Sequence, residues 1–147
     1  MPLLLRVLVV LFALIIAFMA AGMAIAAALW IPAVRGYESD AVDSVMFYFT
    51  GFFIAGFAGM TALLPAIVAV SIAEGFDFRS FLYYAAAGAV VALIAFFTTN
   101  IGVRLEETTD IAPVTLGPQL VVAGGIIGGV AYWLVAGRNA GKWKARM

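Results

Sequence analysis

Residues 119–136 read QLVVAGGIIGGVAYWLVA, an apolar stretch without a charged side chain. As a helix rising 1.5 Å per residue it is about 27 Å long, close to the hydrocarbon thickness of a bilayer at about 30 Å. Two glycine pairs with a spacing of four are interleaved in it, Gly124 with Gly128 and Gly125 with Gly129. Each glycine costs about 1 kcal/mol against alanine in a helix interior, so these four predict a closely approaching neighbouring backbone.

Three further apolar runs precede this one, at about 7–30, 45–73 and 81–97, and none of them contains Asp, Glu, Lys or Arg. The whole chain of 147 residues is 66% hydrophobic and 11% charged. In lipid, backbone N–H and C=O groups need hydrogen-bond partners within the protein, which only helices and closed β-barrels provide. These runs lack the alternation of apolar and polar residues that is typical of a barrel strand, so helices are favoured. We therefore predict an all-α membrane protein, a single domain of four transmembrane helices arranged as two antiparallel hairpins.

Small residues in the other runs predict helix contacts of the same kind. The second run carries Gly56 and Gly59 among alanines with a spacing of three or four. Because lipid tails are as apolar as leucine, membrane helices associate by close packing over such rows. Gly56, Gly59 and the glycines of 124–129 are thus predicted contact residues. Their neighbour is either another helix of the same chain or a helix of a second copy.

The distribution of basic residues predicts the orientation. If both termini are cytoplasmic, six basic residues lie inside and two, Arg35 and Arg104, lie outside. The six inside are Arg6, Arg79, Arg138, Lys142, Lys144 and Arg146. Short cytoplasmic loops are enriched in Lys and Arg, so the chain is predicted to have its N- and C-termini in the cytoplasm. The first apolar run exceeds a usual signal-peptide core and is expected to remain as an uncleaved helix.

The basic tail, residues 138–147, is predicted to lie at the lipid interface. Its candidate lipid contacts are Arg138, Lys142, Trp143, Lys144 and Arg146. Each basic residue near an anionic surface contributes about 1 kcal/mol of attraction. The tail carries too few charges to indicate nucleic-acid binding.

The ending GGxxGGxxYWxxxGRxxG, residues 124–141, resembles the C-terminal part of small bacterial inner-membrane proteins with several spans. The resemblance implies a bacterial inner-membrane location and brings no activity with it.

A second group of residues indicates a kink or a pathway. Pro65 lies in mid-run, and Thr61 stands one turn before it, where its hydroxyl is placed to satisfy the disturbed backbone. Thr98, Thr99 and Asn100 end the third run. Two interpretations are open. In the first, these residues only bend or cap helices; in the second, they line a path through the membrane.

The composition excludes several kinds of chemistry. The chain has no His and no Cys, so haem ligation by His, thiolate zinc sites, dithiol exchange and Ser–His nucleophiles are ruled out. We predict no catalytic, metal-binding or cofactor-binding residues. The favoured function is a non-enzymatic structural or accessory protein that packs against itself or a larger membrane complex. The alternative is a small oligomeric transporter or channel for an ion or small solute.

Overall fold

The computed structural model describes residues 3–34, 41–99 and 117–140. They form four helices, α1 (Leu3–Val34), α2 (Ala41–Gly75), α3 (Phe81–Thr99) and α4 (Pro118–Val135), and a 3₁₀ turn at Gly137–Asn139. The predicted all-α fold with four helices is confirmed. The first two helices extend beyond both ends of the apolar runs predicted at 7–30 and 45–73. Helical backbone bonds do not require apolar side chains, so a helix continues past a charged residue such as Arg6.

Each helix contains a stretch long and apolar enough to cross a membrane. The four stretches are Leu4–Leu29, Ser44–Gly75, Phe81–Thr99 and Pro118–Val135. A hydrocarbon layer of about 30 Å takes about 20 helical residues, so all four meet the requirement by length and composition. The fold is compatible with an integral membrane protein.

The distribution of side chains is the one expected of a protein surrounded by lipid and the reverse of that in a water-soluble protein. The buried positions are mostly alanines, such as Ala13, Ala26, Ala62 and Ala73. Large apolar side chains, among them Leu4 and Met60, point outward. In a membrane, a leucine side chain gains no free energy by packing against another leucine instead of against lipid. Small residues therefore form the contacts between helices, and large apolar residues face the hydrocarbon.

The four helices form a closed ring in which each contacts the next and α4 returns to α1. Arg6 of α1 contacts both Glu74, near the end of α2, and Ala136, just after α4. Arg79, just before α3, contacts Ala140. The start of α1, the end of α2, the start of α3 and the end of α4 therefore lie together, at what we call the charged end of the bundle.

The two glycine pairs of α4 contact two different helices. A Cβ at Gly124 would lie 2.7 Å from Ile25 Cγ1, and one at Gly128 would lie 2.9 Å from the carbonyl oxygen of Ala17, both in α1. On the adjacent face, Gly125 lies against Gly88 of α3, and Gly129 lies against the backbone of Tyr84. Interleaved pairs are one position apart, so α4 presents a glycine seam to each of its neighbours.

The glycines of α1 and α2 that contact another helix are only in part the ones that the sequence pattern predicts. Gly22, which the sequence analysis did not select, would place a Cβ 2.6 Å from the carbonyl oxygen of Gly51. Gly59 makes ordinary contact with the ring of Phe18, at 3.5 Å. Gly56 is exposed, and a Cβ there would meet no atom of the described residues within 4 Å. Gly56 therefore takes no part in the packing between these four helices.

The end of α2 is closed by a backbone motif. Phe78 N–H donates to the carbonyl of Ala73 at 2.9 Å, and Asp77 has a left-handed φ of 57°. This is the arrangement of a Schellman motif, with aspartate in the position that glycine usually takes. It turns the chain sharply from α2 toward α3.

Candidate functional site

A buried ion pair lies at the charged end of the bundle. Arg6 is only 8% exposed, and one of its guanidinium nitrogens contacts Glu74 Oε1. In the sequence, Arg6 is one of the basic residues that indicate orientation, and both Arg6 and Glu74 lie just beyond apolar runs. The structure places them inside α1 and α2, paired and largely buried. Removing two charges from water is costly, and the cost is recovered only when the geometry and the remaining hydrogen bonds are good.

Arginines also bind the backbone carbonyls at and after the end of α4. Arg6 Nη2 donates to the oxygen of Ala136 at 3.2 Å, Arg79 Nε to Ala140 at 2.9 Å, and Arg138 Nε to Leu134 at 3.2 Å. The last carbonyls of a helix have no partner within it and carry its negative partial charge. Arg6 and Arg138 thus bind carbonyls at the end of α4, and Arg79 binds a carbonyl just after the 3₁₀ turn that follows it.

Trp133 connects the end of α4 to the residue just before α3 by a hydrogen bond. Its indole Nε1 donates to the carbonyl of Arg79 at 2.9 Å, and the Arg138 guanidinium carbon lies 5.7 Å from the ring centroid. We expect Trp133→Phe, which keeps an aromatic ring and removes the donor, to lower the unfolding free energy by about 1 kcal/mol. Unfolding in mixed micelles measures this loss. Leu134→Met is the control, expected within about 0.5 kcal/mol of the unmodified chain because the Leu134 side chain is exposed. Equal losses in both variants would contradict the assignment.

An apolar chamber runs inside the bundle beyond the ion pair. It has a volume of about 560 Å³, and α2 and α3 supply most of its lining. Among the four neighbouring helix pairs, α2 and α3 make the least extensive contact. Among the described residues no glycine lies at that contact, where Tyr83 instead donates its hydroxyl to the carbonyl of Ala69 at 2.8 Å. Without a glycine seam the two helices stay apart, and the chamber fills the space between them.

The polar groups of the chamber are few, and three of them are tyrosines near the charged end. The hydroxyls of Tyr83 and Tyr84 donate to the carbonyls of Ala69 and Phe78. Tyr132 is 3% exposed, and within the described part of the chain its buried hydroxyl has no hydrogen-bond partner. An unsatisfied buried hydroxyl costs about 1–3 kcal/mol, which makes Tyr132 the unusual polar group of the chamber.

The size and lining of the chamber are those of a ligand pocket. It is only partly enclosed by the four helices, and its volume is about 560 Å³. Volumes of about 300–1,000 Å³ with apolar walls and a few polar groups are typical of ligand pockets. The chamber is therefore a candidate site for an apolar ligand.

The predicted pathway residues are only partly brought together. Thr61 and Thr99 line the chamber, whereas Thr98 is exposed on the outside of α3. Their hydroxyls donate to carbonyls of their own helices, Thr61 to Phe57 at 3.1 Å and Thr99 to Ala95 at 2.7 Å. These hydroxyls act within their helices.

The predicted repair at Pro65 is wrong in detail. Pro65 leaves the carbonyl of Thr61 without its helical donor, but the Thr61 hydroxyl donates to Phe57, one turn earlier. A threonine hydroxyl in a helix reaches back to the carbonyl four residues before it and not to its own. Nevertheless, α2 continues through Pro65 as one helix.

Several predicted residues lie outside the described part of the chain. They are Asn100 of the proposed pathway and Lys142, Trp143, Lys144 and Arg146 of the proposed lipid interface. The remaining member of the lipid-interface group, Arg138, is exposed at the charged end.

The ion pair, Tyr132 and the chamber were missed by sequence reasoning. One signal was available for the pair: Arg6 directly precedes the first apolar run, Glu74 directly follows the second, and both fall on the same predicted side. No comparable signal marks the chamber, because it arises from helix separation and not from a residue pattern.

Comparison with known proteins identifies no relative of this chain: no family model, curated protein or solved structure matches it. The class of the protein rests on its fold, an all-α bundle with four candidate membrane spans.

Proposed function

We propose that this chain is a non-enzymatic accessory protein of the bacterial inner membrane that associates laterally, through α2, with a second copy of itself or with a larger membrane complex. Both termini lie in the cytoplasm in this proposal, and the helices form two antiparallel hairpins. The observation that carries it is the position of Gly56.

Gly56 is unusual among the glycines of the membrane spans. Gly22, Gly51, Gly59, Gly88 and the glycines of 124–129 all have an atom of another helix within contact distance of an added Cβ. Among the described residues of the spans, Gly56 and Gly75 have none, and Gly75 is the last residue of α2, so Gly56 is the one in a helix interior. Glycine in a helix interior costs about 1 kcal/mol against alanine, and close approach of another backbone is the usual compensation. Large exposed side chains, including Phe52 and Met60, flank Gly56 and leave a notch that fits a partner helix.

The proposed orientation is supported by the charged end. Arg6, Arg79 and Arg138 all lie there, which is the arrangement the positive-inside rule expects of a cytoplasmic end. Arg138 is exposed at this end, and with the tail residues Lys142, Trp143, Lys144 and Arg146 it would contact anionic lipid.

The alternative, a transporter or channel, is favoured by one observation only: Thr61 and Thr99 line the chamber. Ion paths through proteins are lined by carbonyls, charged rings or water-accessible polar groups. Here the threonine hydroxyls donate to their own helices, and the rest of the lining is mostly alanine, glycine, aliphatic and aromatic residues. We therefore place lateral association ahead of conduction.

Association is tested by differently tagged copies of the full chain, co-expressed and recovered from native membranes after cross-linking. We expect Gly56→Ile to lower recovery of the partner by about tenfold or more, because the side chain fills the notch. The matched control is Ala86→Ile, which enlarges an exposed small residue on α3 and should change nothing.

Two results would count against lateral association. One is a chain that stays monomeric and without a cross-linked partner. The other is equal recovery from Gly56→Ile and the unmodified protein. Uptake of ions or small solutes by reconstituted vesicles, faster than by empty vesicles, would favour the transporter instead.

A further inference from the structure

We propose that the chamber binds one acyl chain of a membrane phospholipid, with the ester carbonyl of that chain accepting a hydrogen bond from Tyr132. This inference concerns the inside of the bundle and does not depend on association through Gly56.

The length of the chamber suits a hydrocarbon chain. Its lining extends along α3 from Tyr83 to Thr99, a distance of about 24 Å at 1.5 Å per residue. An extended acyl chain can therefore lie along the chamber with its carbon atoms in van der Waals contact with the walls.

The chamber also matches a hydrocarbon chain chemically. Its walls are provided by side chains such as Leu14, Phe57 and Val91, with small residues from all four helices between them. An apolar site without converging polar groups stays dry and takes an apolar occupant. In a bilayer the occupant available at the highest concentration is the lipid acyl chain.

Tyr132 indicates which end of the ligand is polar and where it lies. Its hydroxyl is buried and has no partner in the described ranges, and the residue lines the chamber toward the charged end. Four positions on, the carbonyl of Ala136 accepts a hydrogen bond from Arg6. This level is near the end of the α4 span, where the ester groups of a phospholipid lie when its chain extends into the hydrocarbon.

The charges near Tyr132 favour a neutral acceptor. Arg6 is already paired with Glu74, so an ionised carboxylate at Tyr132 would add a second negative charge beside that pair. A neutral carbonyl accepts the hydroxyl proton without this repulsion. A phospholipid ester and a free fatty acid share the chain but differ in this group, which allows an experiment to separate them.

The experiment uses the full-length chain in vesicles of phosphatidylethanolamine and phosphatidylglycerol that carry a trace of phospholipid with a photoreactive diazirine in its acyl chain. After illumination, mass spectrometry of the digested protein locates the adducts. We expect adducts on chamber residues such as Ala62 and Val91. A parallel arm replaces the probe with a diazirine-bearing free fatty acid at the same mole fraction.

Two neighbouring alanines on α3 provide a matched pair of variants. Ala87 lines the chamber, and Ala86 is exposed on the outside of the same helix. We expect Ala87→Phe to lower chamber adducts by about tenfold or more, and Ala86→Phe to leave them unchanged. Tyr132→Phe keeps the ring and removes the hydroxyl; we expect about a fivefold loss of chamber adducts, the value of one hydrogen bond.

The outcomes are decisive in both directions. Chamber adducts from the phospholipid probe that fall in Ala87→Phe and in Tyr132→Phe support the proposal. Labelling confined to outward-facing residues, or equal labelling of Ala86→Phe and Ala87→Phe, overturns the binding site. If Ala87→Phe does not fold, Tyr132→Phe alone decides, and unchanged labelling in it overturns the role of the hydroxyl. Labelling of the chamber by the fatty acid and not by the phospholipid overturns the neutral ester carbonyl.

Discussion

Arg6→Met is expected to lower the unfolding free energy by about 3–5 kcal/mol, because it removes one partner of a largely buried ion pair with Glu74. The same substitution removes the donor to the Ala136 carbonyl at the end of α4. Unfolding of the purified chain in mixed micelles, followed by circular dichroism, measures the loss. A loss of this size is a large part of the stability of a typical domain, about 5–15 kcal/mol.

The partner variant distinguishes an ion pair from simple loss of packing. Arg6→Met with Glu74→Met replaces both charges by apolar side chains, and replacement of a whole buried pair is often neutral. We expect the double variant to recover most of the stability lost by Arg6→Met. Additive losses from the two single substitutions would show that the residues act independently, and the assigned pair would then be wrong.

The helices could be predicted from the sequence because one physical requirement dominates them. An apolar run of bilayer length without charge has to satisfy its own backbone, and only a helix does this in an isolated segment. The same argument explains why the ends were less accurate. The start of α2 at Ala41 instead of Val45 depends on polar residues at the membrane boundary, where water relaxes the requirement.

The glycines show where a local pattern stops being informative. The seams of α4 could be predicted because four glycines in six residues have no other common explanation. Gly56 and Gly59 look equivalent in the sequence, yet Gly59 contacts Phe18 and Gly56 faces outward. Which side of a helix faces its neighbours depends on how the other helices are arranged, and near-uniform apolarity hides that side in a membrane protein.

The candidate site depends almost wholly on tertiary structure. Arg6 and Glu74 are far apart in the chain, and each alone is an ordinary charge at the edge of a span. The partnerless Tyr132 hydroxyl becomes unusual only when its surroundings are known. The chamber itself follows from the separation of α2 and α3, which no residue type encodes directly.

Gly125→Val is expected to lower the unfolding free energy by about 3 kcal/mol, at the upper end of the usual cost of overpacking. A Cβ at Gly125 would overlap the backbone of Gly88 and the side chain of Ala92. A flexible side chain can move aside, but the backbone of α3 can move only if the contact between α3 and α4 opens. Mixed-micelle unfolding, as for Arg6→Met, measures the effect.

The control for Gly125→Val is Ala123→Val, which adds a comparable side chain on the same helix at an exposed position. It should change the unfolding free energy by less than about 0.5 kcal/mol, because the added methyl groups face lipid. Similar losses in both variants would mean that helix propensity, and not the contact with Gly88, sets the cost. A large loss confined to Gly125→Val would instead show that the glycine seam holds α3 against α4 within one chain, so that these glycines are not available for contacts between chains.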